Sequence, residues 1–106
     1  MSKFVKEISE ESFDEEVGKG VVLAYFFATW CGPCKNQIGP LEEKAENTKN
    51  ISFIKLDVDK SQQVAHAHNV TAMPTLIIFK DGIEIDRHVG VADSDKIQEL
   101  INKATA

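Results

Sequence analysis

The chain has 106 residues, of which 42% are hydrophobic, and its formal net charge is −5. This length and composition predict one folded domain over residues 1–106 and exclude a disordered chain. The acidic balance argues against a nucleic-acid surface or an anionic membrane as partner, and no apolar run has the length of a membrane span.

The cysteine content narrows the class of protein further. The chain has two cysteines, Cys31 and Cys34, whereas a secreted disulfide scaffold would use more cysteines, spread along the sequence. The first residues lack the long apolar core of a signal peptide, so we expect a cytoplasmic location. Two close cysteines in a reducing compartment indicate redox chemistry or half of a metal site.

The first part of the chain predicts a strand and then a helix. Residues 4–8 are predicted to form a short strand, after which Ser9 is expected to act as a helix N-cap. Phe13 and Val17 have the spacing of an apolar pair on one helix face, and Gly18 is expected to end that helix.

Residues 21–28 are almost all apolar, which is typical of a strand covered on both faces at the centre of an α/β sheet. This strand leads directly to the cysteines. A helix is expected next, because helical spacing is kept by Ile38, Leu41 and Ala45. We expect a kink in that helix at Pro40.

The second half predicts three more strands and two helices. Residues 51–58 are expected to form a strand, and Asp59 to cap a short helix. Residues 75–80 and 83–89 are expected to pair as a hairpin through a type I′ turn at Asp81-Gly82. Asp93 is expected to cap a last helix, whose apolar face consists of Ile97, Leu100, Ile101 and Ala104. The order βαβαβαββα indicates an α/β domain.

The spacing of the two cysteines suits thiol–disulfide exchange. Residues three apart on a helix share a face, so Cys31 and Cys34 can form and break a disulfide with little backbone movement. At the junction of strand and helix, free N–H groups and the helix dipole stabilise a thiolate on Cys31. Cys34, one turn further in, is expected to be more buried and to remain a thiol. Cys31 would then attack a substrate disulfide, and Cys34 would resolve the mixed disulfide.

The residues around the pair support this interpretation. Gly32 has no side chain to obstruct a substrate. Pro33 needs no backbone donor at the start of a helix, and its fixed φ stiffens the pair. Trp30 would ordinarily be expected in the core, but its position beside Cys31 favours a partly exposed side chain that contacts substrate.

The motif Trp30-Cys31-Gly32-Pro33-Cys34-Lys35 resembles the active-site motif of the thioredoxin family. Further similar segments follow in the same order: Phe26-Phe27-Ala28-Thr29, Lys55-Leu56-Asp57-Val58-Asp59, Met73-Pro74-Thr75, Phe79-Lys80-Asp81-Gly82 and Val89-Gly90. The resemblance implies a thioredoxin fold, with a central mixed sheet of about five strands flanked on both faces by about four helices. It also implies a general protein-disulfide reductase.

The resemblance assigns further site residues. In the family, the proline that matches Pro74 follows a cis peptide bond and faces the cysteine pair. The backbone at Met73 would pair with an extended substrate segment. Gly90 matches a small residue that leaves room for the substrate on the other side.

The sequence departs from the family pattern at two positions. Thioredoxins usually have a buried aspartate where this chain has Tyr25, and a phenol is neutral near pH 7 and cannot act as a carboxylate base. Either Tyr25 only fills the strand, or its hydroxyl holds a water that helps resolution by Cys34. Lys55 matches the lysine that accompanies this aspartate. The helix proline, Pro40, comes six residues after the second cysteine, one later than in the family.

The resemblance also implies partners. These are a thioredoxin reductase, linked to NADPH or ferredoxin, and client proteins that contain disulfides. We expect a monomer with no nucleic-acid or membrane partner, no metal and no bound cofactor besides the redox-active disulfide of Cys31 and Cys34.

Three alternatives stay open. An oxidase or isomerase of the protein disulfide isomerase type tends to carry His where this chain has Pro33. A non-enzymatic binding module would leave the cysteines incidental. A metal or cluster site shared between two chains would use the cysteines as half of a tetrahedral set.

Overall fold

The computed structural model describes residues 4–106. Residues 1–3, to which the predictions of one domain over residues 1–106 and of no signal peptide also apply, lie outside that range. A 3₁₀ turn (Glu10–Ser12) follows the first strand. The strands and helices are β1 (Val5–Glu7), α1 (Phe13–Val17), β2 (Val21–Phe27), α2 (Cys34–Glu46), β3 (Ser52–Asp57), α3 (Gln62–Ala67), β4 (Thr75–Lys80), β5 (Ile83–Val89) and α4 (Ser94–Thr105). This order confirms the predicted α/β pattern.

The strands form one mixed sheet in the order β1-β3-β2-β4-β5. β2 lies at the centre, parallel to β3 and antiparallel to β4. Five consecutive residues of β2 are buried, as its almost entirely apolar sequence predicts for a strand covered on both faces. Because β2 runs in the middle of the sheet, the turn that follows it is held by the most buried part of the fold.

Helices cover both faces of the sheet. Successive side chains of a strand point to opposite faces, and the neighbours Tyr25 and Phe26 show this. The Phe26 ring lies 6.5 Å from that of Phe13 in α1, whereas the Tyr25 hydroxyl contacts the backbone of Cys34 in α2. α4 covers the same face as α2 through its buried residues, which are those predicted: Ile97, Leu100, Ile101 and Ala104. Within residues 4–106, no helix has the length and apolar character needed to cross a membrane.

The N-caps of the two short helices differ from the prediction. The Ser9 side chain makes no capping bond, and it precedes the 3₁₀ turn rather than α1 directly. Asp59 does not cap α3, which follows Ser61. Its carboxylate accepts a hydrogen bond from the indole of Trp30 instead. The backbone N–H of Val64, in the first turn of α3, donates to the carboxylate of Glu10 at 3.0 Å. Because Glu10 lies far from α3 in the sequence, local residue spacing does not predict this cap.

The hairpin of β4 and β5 is confirmed. Asp81 and Gly82 have φ values of +50° and +87°, as a type I′ turn requires at both central residues. A bulge at Ile85 interrupts the register, because Ile78 pairs with Asp86 whereas Phe79 pairs with Glu84. The bulge was not predicted from the sequence.

Helix α2 buries a different set of side chains from the predicted one. It continues through Pro40, and its buried face consists of Cys34, Gln37, Leu41 and Ala45. The prediction for Ile38 was wrong, since 51% of this residue is exposed. The turn after β2 places Cys34 against the sheet. Helical spacing from Cys34 makes Gln37 the next buried position.

Candidate active site

The two cysteines lie in the turn that joins β2 to α2. The Cys31 N–H donates to the carbonyl of Ala28 at 3.2 Å, and the Lys35 N–H donates to the carbonyl of Gly32 at 3.1 Å. Helix α2 begins at Cys34, so the prediction that Cys34 lies one turn inside the helix was wrong. Pro33 immediately precedes α2 with helical dihedral angles, φ −60° and ψ −23°, as its ring favours.

The cysteine pair forms a disulfide, with a Cα–Cα distance of 5.4 Å. Both residues are buried, with 7% of Cys31 and 4% of Cys34 exposed. The sulfurs differ in their hydrogen bonding. The backbone N–H of Cys34 donates to the Cys31 Sγ at 3.2 Å. A hydrogen-bond donor aimed at a sulfur favours the negatively charged form of that sulfur.

Trp30 projects beside the pair and is 67% exposed, which confirms the expectation of a solvent-facing side chain. Its indole N–H donates to the carboxylate of Asp59 at 2.9 Å. Because an exposed ring would otherwise sample several rotamers, this bond holds the apolar plane in one orientation next to Cys31.

The Met73–Pro74 segment lies against the pair. The Met73–Pro74 peptide bond is cis, as the resemblance implied. The Met73 carbonyl oxygen lies 3.5 Å from the Cys31 Sγ. On the other side of Pro74, its carbonyl accepts a hydrogen bond from the Gly90 N–H at 2.8 Å.

Gly90 has a φ of +98°, a conformation that L side chains rarely adopt, and a Cβ at this position would meet no atom within 4 Å. The surface above Gly90 is therefore open. Gly32 likewise has open space where a side chain would stand. Met73 thus contacts the Cys31 sulfur directly, and Gly90 is linked to Met73 through its hydrogen bond with Pro74.

Tyr25 lies beneath the pair and is 4% exposed. Its hydroxyl donates to the carbonyl oxygen of Cys34 at 3.0 Å. Burial raises the pKa of Tyr25 to about 12, so the phenol stays neutral at physiological pH. Its proton is used in the bond to the Cys34 backbone.

Lys55 is the partner of Tyr25 across the β2–β3 ladder. Within residues 4–106 it forms no ion pair, and its ammonium lies 5.8 Å from the centre of the Phe27 ring. The usual arrangement of a lysine with a buried aspartate is therefore replaced by a lysine near an aromatic ring.

One buried polar residue near the site, Gln37, was not predicted from the sequence. It is 0% exposed, and its amide bonds both backbone groups of Ala92. The available signal was its spacing, three residues after a cysteine that was expected to be buried. Within the described part of the chain, no group of three or more His, Cys, Asp or Glu side chains could hold a metal ion.

Comparison with known proteins gives one consistent family. The family model for thioredoxin matches residues 4–103. A thioredoxin of Chlamydia trachomatis is 42% identical over 99 residues, which cover 93% of this chain and 97% of that protein. A thioredoxin of Echinococcus granulosus is 45% identical over 98 residues, covering 92% and 91%.

A solved structure agrees with these sequence matches. A mutant thioredoxin from Halobacterium salinarum superimposes with a TM-score of 0.87 at 35% identity, covering 100% of this chain and 96% of that one. The same family is indicated by the order of strands and helices, by the Cys31–Cys34 disulfide and by these matches. This chain belongs to the thioredoxin family of protein thiol–disulfide oxidoreductases.

Proposed function

We propose that Cys31 is the attacking thiolate and Cys34 the resolving thiol of a general protein-disulfide reductase. The observation that carries these roles is the 3.2 Å hydrogen bond from the Cys34 N–H to the Cys31 Sγ. It supports a negative charge on Cys31 and provides no corresponding donor for Cys34. Only a thiolate attacks a disulfide at a useful rate, so the bond distinguishes the two sulfurs.

The reaction transfers two electrons from the dithiol to the client. The Cys31 thiolate attacks one sulfur of the client disulfide, which forms a mixed disulfide and releases the other client sulfur as a thiolate. Cys34 then loses its proton and attacks the Cys31 sulfur. The products are the Cys31–Cys34 disulfide and a fully reduced client.

Solvent water takes the proton of Cys34 in this scheme. The Tyr25 hydroxyl is neutral and donates to the Cys34 carbonyl, so it is not available as a base. Its remaining lone pairs can accept from a water near the sulfur. Tyr25 therefore supports the site by fixing the start of α2, and Lys55 adds positive charge beside it.

The client segment lies across Trp30, the Met73 backbone, Pro74 and Gly90. Exposure of Trp30 and the open space above Gly90 support this placement. An extended segment can pair with the backbone at Met73 as an added strand does, which brings its disulfide to the Cys31 sulfur. Gly32 leaves the approach unobstructed.

The electron donor in this proposal is a thioredoxin reductase, and the clients are disulfide-containing proteins of the cytoplasm. The protein acts as a monomer without a bound cofactor, because the redox-active disulfide itself carries the electrons. Neither nucleic acid nor a membrane takes part, in keeping with the net charge of −5.

Insulin reduction tests the two roles. Wild-type protein, with dithiothreitol as the electron source, is expected to reduce insulin disulfides, whereas Cys31→Ser and Cys34→Ser show no turnover. Only Cys34→Ser accumulates a covalent adduct with insulin, detectable by mass spectrometry and released by dithiothreitol. The two variants serve as controls for each other. Turnover by Cys31→Ser, or an adduct on Cys34 in that variant, would contradict the assignment.

The redox potential separates a reductase from an oxidase or isomerase. We expect a potential more negative than that of the cytosolic glutathione pool, because Pro33 stands where the oxidising domains tend to carry His. A value well above that of glutathione would favour the oxidant. Metal analysis of the purified protein tests the shared-cluster alternative.

A further inference from the structure

Gln37 is a fully buried polar side chain in the first turns of α2, three residues after Cys34, with 0% exposure. Its Nε2 donates to the Ala92 carbonyl at 2.9 Å, and its Oε1 accepts from the Ala92 N–H at 2.7 Å. Burying an amide is unfavourable unless its donor and acceptor are both satisfied. Here the backbone of Ala92 satisfies both the donor and the acceptor of the Gln37 amide, as the backbone of a neighbouring strand would.

Ala92 ends a short segment, residues 90–92, between β5 and α4. At the other end of the segment, the Gly90 N–H is bonded to the Pro74 carbonyl at 2.8 Å. Between these two anchors Val91 is 40% exposed. The segment is thus fixed at both ends, while its middle faces solvent.

These bonds complete a ring of contacts around the reactive sulfur. From Cys34, α2 leads to Gln37, whose amide binds Ala92. From Gly90 the ring continues through the Pro74 carbonyl to Met73, whose own carbonyl lies 3.5 Å from the Cys31 Sγ. The Gln37 amide is the one connection in this ring that a side chain supplies from α2.

An apolar residue at position 37 would serve packing as well as Leu41 and Ala45 do on the same face. It would also leave both polar groups of Ala92 without a partner, in a residue that is 1% exposed. The loss of these hydrogen bonds by buried groups is unfavourable, and the cost is relieved when residues 90–92 move toward water. The glutamine therefore fixes the Ala92 end of residues 90–92, while the Gly90 N–H bond to Pro74 and the contact of the His88 ring with the Val91 carbonyl at 3.3 Å hold the rest.

We propose that Gln37 is a positioning residue that sets the affinity for polypeptide disulfides by holding residues 90–92 beside the cysteine pair. The inference rests on the proposed function, in which Gly90 lines the client site. An extended client segment needs residues 90–92 at a fixed distance from Met73, because it contacts both. A small disulfide reaches the Cys31 sulfur without contacting residues 90–92.

The test uses Gln37→Met, which keeps the length of the side chain and removes both hydrogen bonds. KM for insulin is expected to rise about three- to ten-fold with kcat unchanged. The rate with 5,5′-dithiobis(2-nitrobenzoate), a small disulfide, stays at the wild-type value. The Ala92 amide is expected to exchange slowly with deuterium in the wild type and faster in the variant.

Ala45→Gly is the matched control, because it weakens the same buried helix face without touching Ala92. It is expected to lower Tm and to leave KM for insulin unchanged. If Gln37→Met does not fold, Gln37→Asn replaces it, since its shorter amide cannot span both backbone groups.

An unchanged KM, or an equal loss with insulin and the small disulfide, would overturn the proposal. A wild-type protein that fails to reduce insulin would contradict the proposed function itself, and the inference with it.

Discussion

The two faces of the sheet differ in the kind of contact that their side chains make. The face under α1 and α3 holds an aromatic cluster of Phe13, Phe26, His68 and Phe79, whose ring centroids lie 5.2–6.5 Å apart. The face under α2 and α4 holds four hydrogen bonds near the cysteines, one from the Tyr25 hydroxyl, one from the Cys34 N–H and two between Gln37 and Ala92. We call these the aromatic face and the cysteine face.

The difference separates stability from positioning. Ring contacts and apolar burial are non-directional, and they stabilise the fold in proportion to the area removed from water. Hydrogen bonds of buried groups contribute less net free energy, but they require one geometry. In the described residues no buried side-chain nitrogen or oxygen lacks a partner. Substitutions in the aromatic cluster should therefore change stability alone, whereas substitutions at the hydrogen-bonded residues of the cysteine face should change chemistry as well.

The largest effect is expected on the aromatic face, from Phe79→Ala. This residue is 0% exposed and contacts both Phe13 and His68, so truncation is expected to cost about 3–5 kcal/mol. Urea unfolding measures the loss, and Phe79→Leu, which keeps more volume, should lose less. Insulin reduction at a temperature where the variant is folded should equal that of the wild type. A selective loss of activity would break the division between the faces.

Tyr25→Asp is expected to destabilise the cysteine face in a pH-dependent manner. A buried aspartate has a raised pKa, so above the unfolded value of about 3.9 the folded state holds a proton that the unfolded chain releases. Stability then falls as pH rises from about 4 to the raised pKa, by roughly 1.4 kcal/mol for each pH unit between the two values.

We expect a loss of about 2–4 kcal/mol at pH 8 relative to pH 4, together with an altered pH dependence of insulin reduction. Urea unfolding at the two pH values measures the first, and Tyr25→Phe, which cannot ionise, is the control. An unchanged melting temperature and pH–rate profile would show that position 25 tolerates a carboxylate. The contrast drawn between the two faces would then not hold at this position.

Tyr25 itself is expected to make the wild type sensitive to alkali. The folded state holds the phenolic proton up to about pH 12, whereas the unfolded chain releases it near pH 10. The contribution of this group to stability is complete below about pH 10 and is lost as pH rises through 12, about 2–3 kcal/mol in all.

Tyrosinate absorbance measures this prediction directly, because Tyr25 is the only tyrosine of the chain. The native protein should titrate near pH 12 and the urea-unfolded protein near pH 10. Tyr25→Phe should lack the corresponding fall in stability. Native titration near pH 10 would mean that the hydroxyl is open to solvent.

The smallest effect is expected at Glu10, whose carboxylate caps α3 on the aromatic face. Glu10→Ala should cost about 1 kcal/mol, as the loss of an N-cap commonly does, and the Val64 amide should exchange faster with deuterium. Glu11→Ala, at the exposed neighbouring position, should leave both unchanged. A change in insulin reduction would show that the faces are coupled through α3.

Local sequence patterns predicted the parts of the fold that depend on local chemistry. Asp81-Gly82 supplied the two positive φ values of a type I′ turn. Asp93 accepts a hydrogen bond from the Lys96 N–H, as its place before α4 predicted. The apolar run of β2 indicated its central position. The family resemblance supplied what no local pattern could, the cis bond before Pro74.

The errors arose where distant segments meet. Ile38 fits an apolar helix face as well as any residue, but contact with Ala92 makes Gln37 the buried one. Asp59 has the spacing of a cap, yet Trp30 takes its carboxylate and Glu10 caps α3 instead. Both outcomes depend on hydrogen bonds between residues far apart in the chain, which a single sequence does not reveal.

The bulge in β5 has a consequence for how the protein meets other chains. β5 is an outer strand of the sheet, and Ile83 and Ile85 are exposed on it. Such an edge can recruit further strands and lead to aggregation. The bulge twists this edge and brings Glu84 and Arg87 together as a two-fold hydrogen-bonded ion pair. An incoming strand would have to desolvate these charges, so the addition of further strands at this edge is disfavoured.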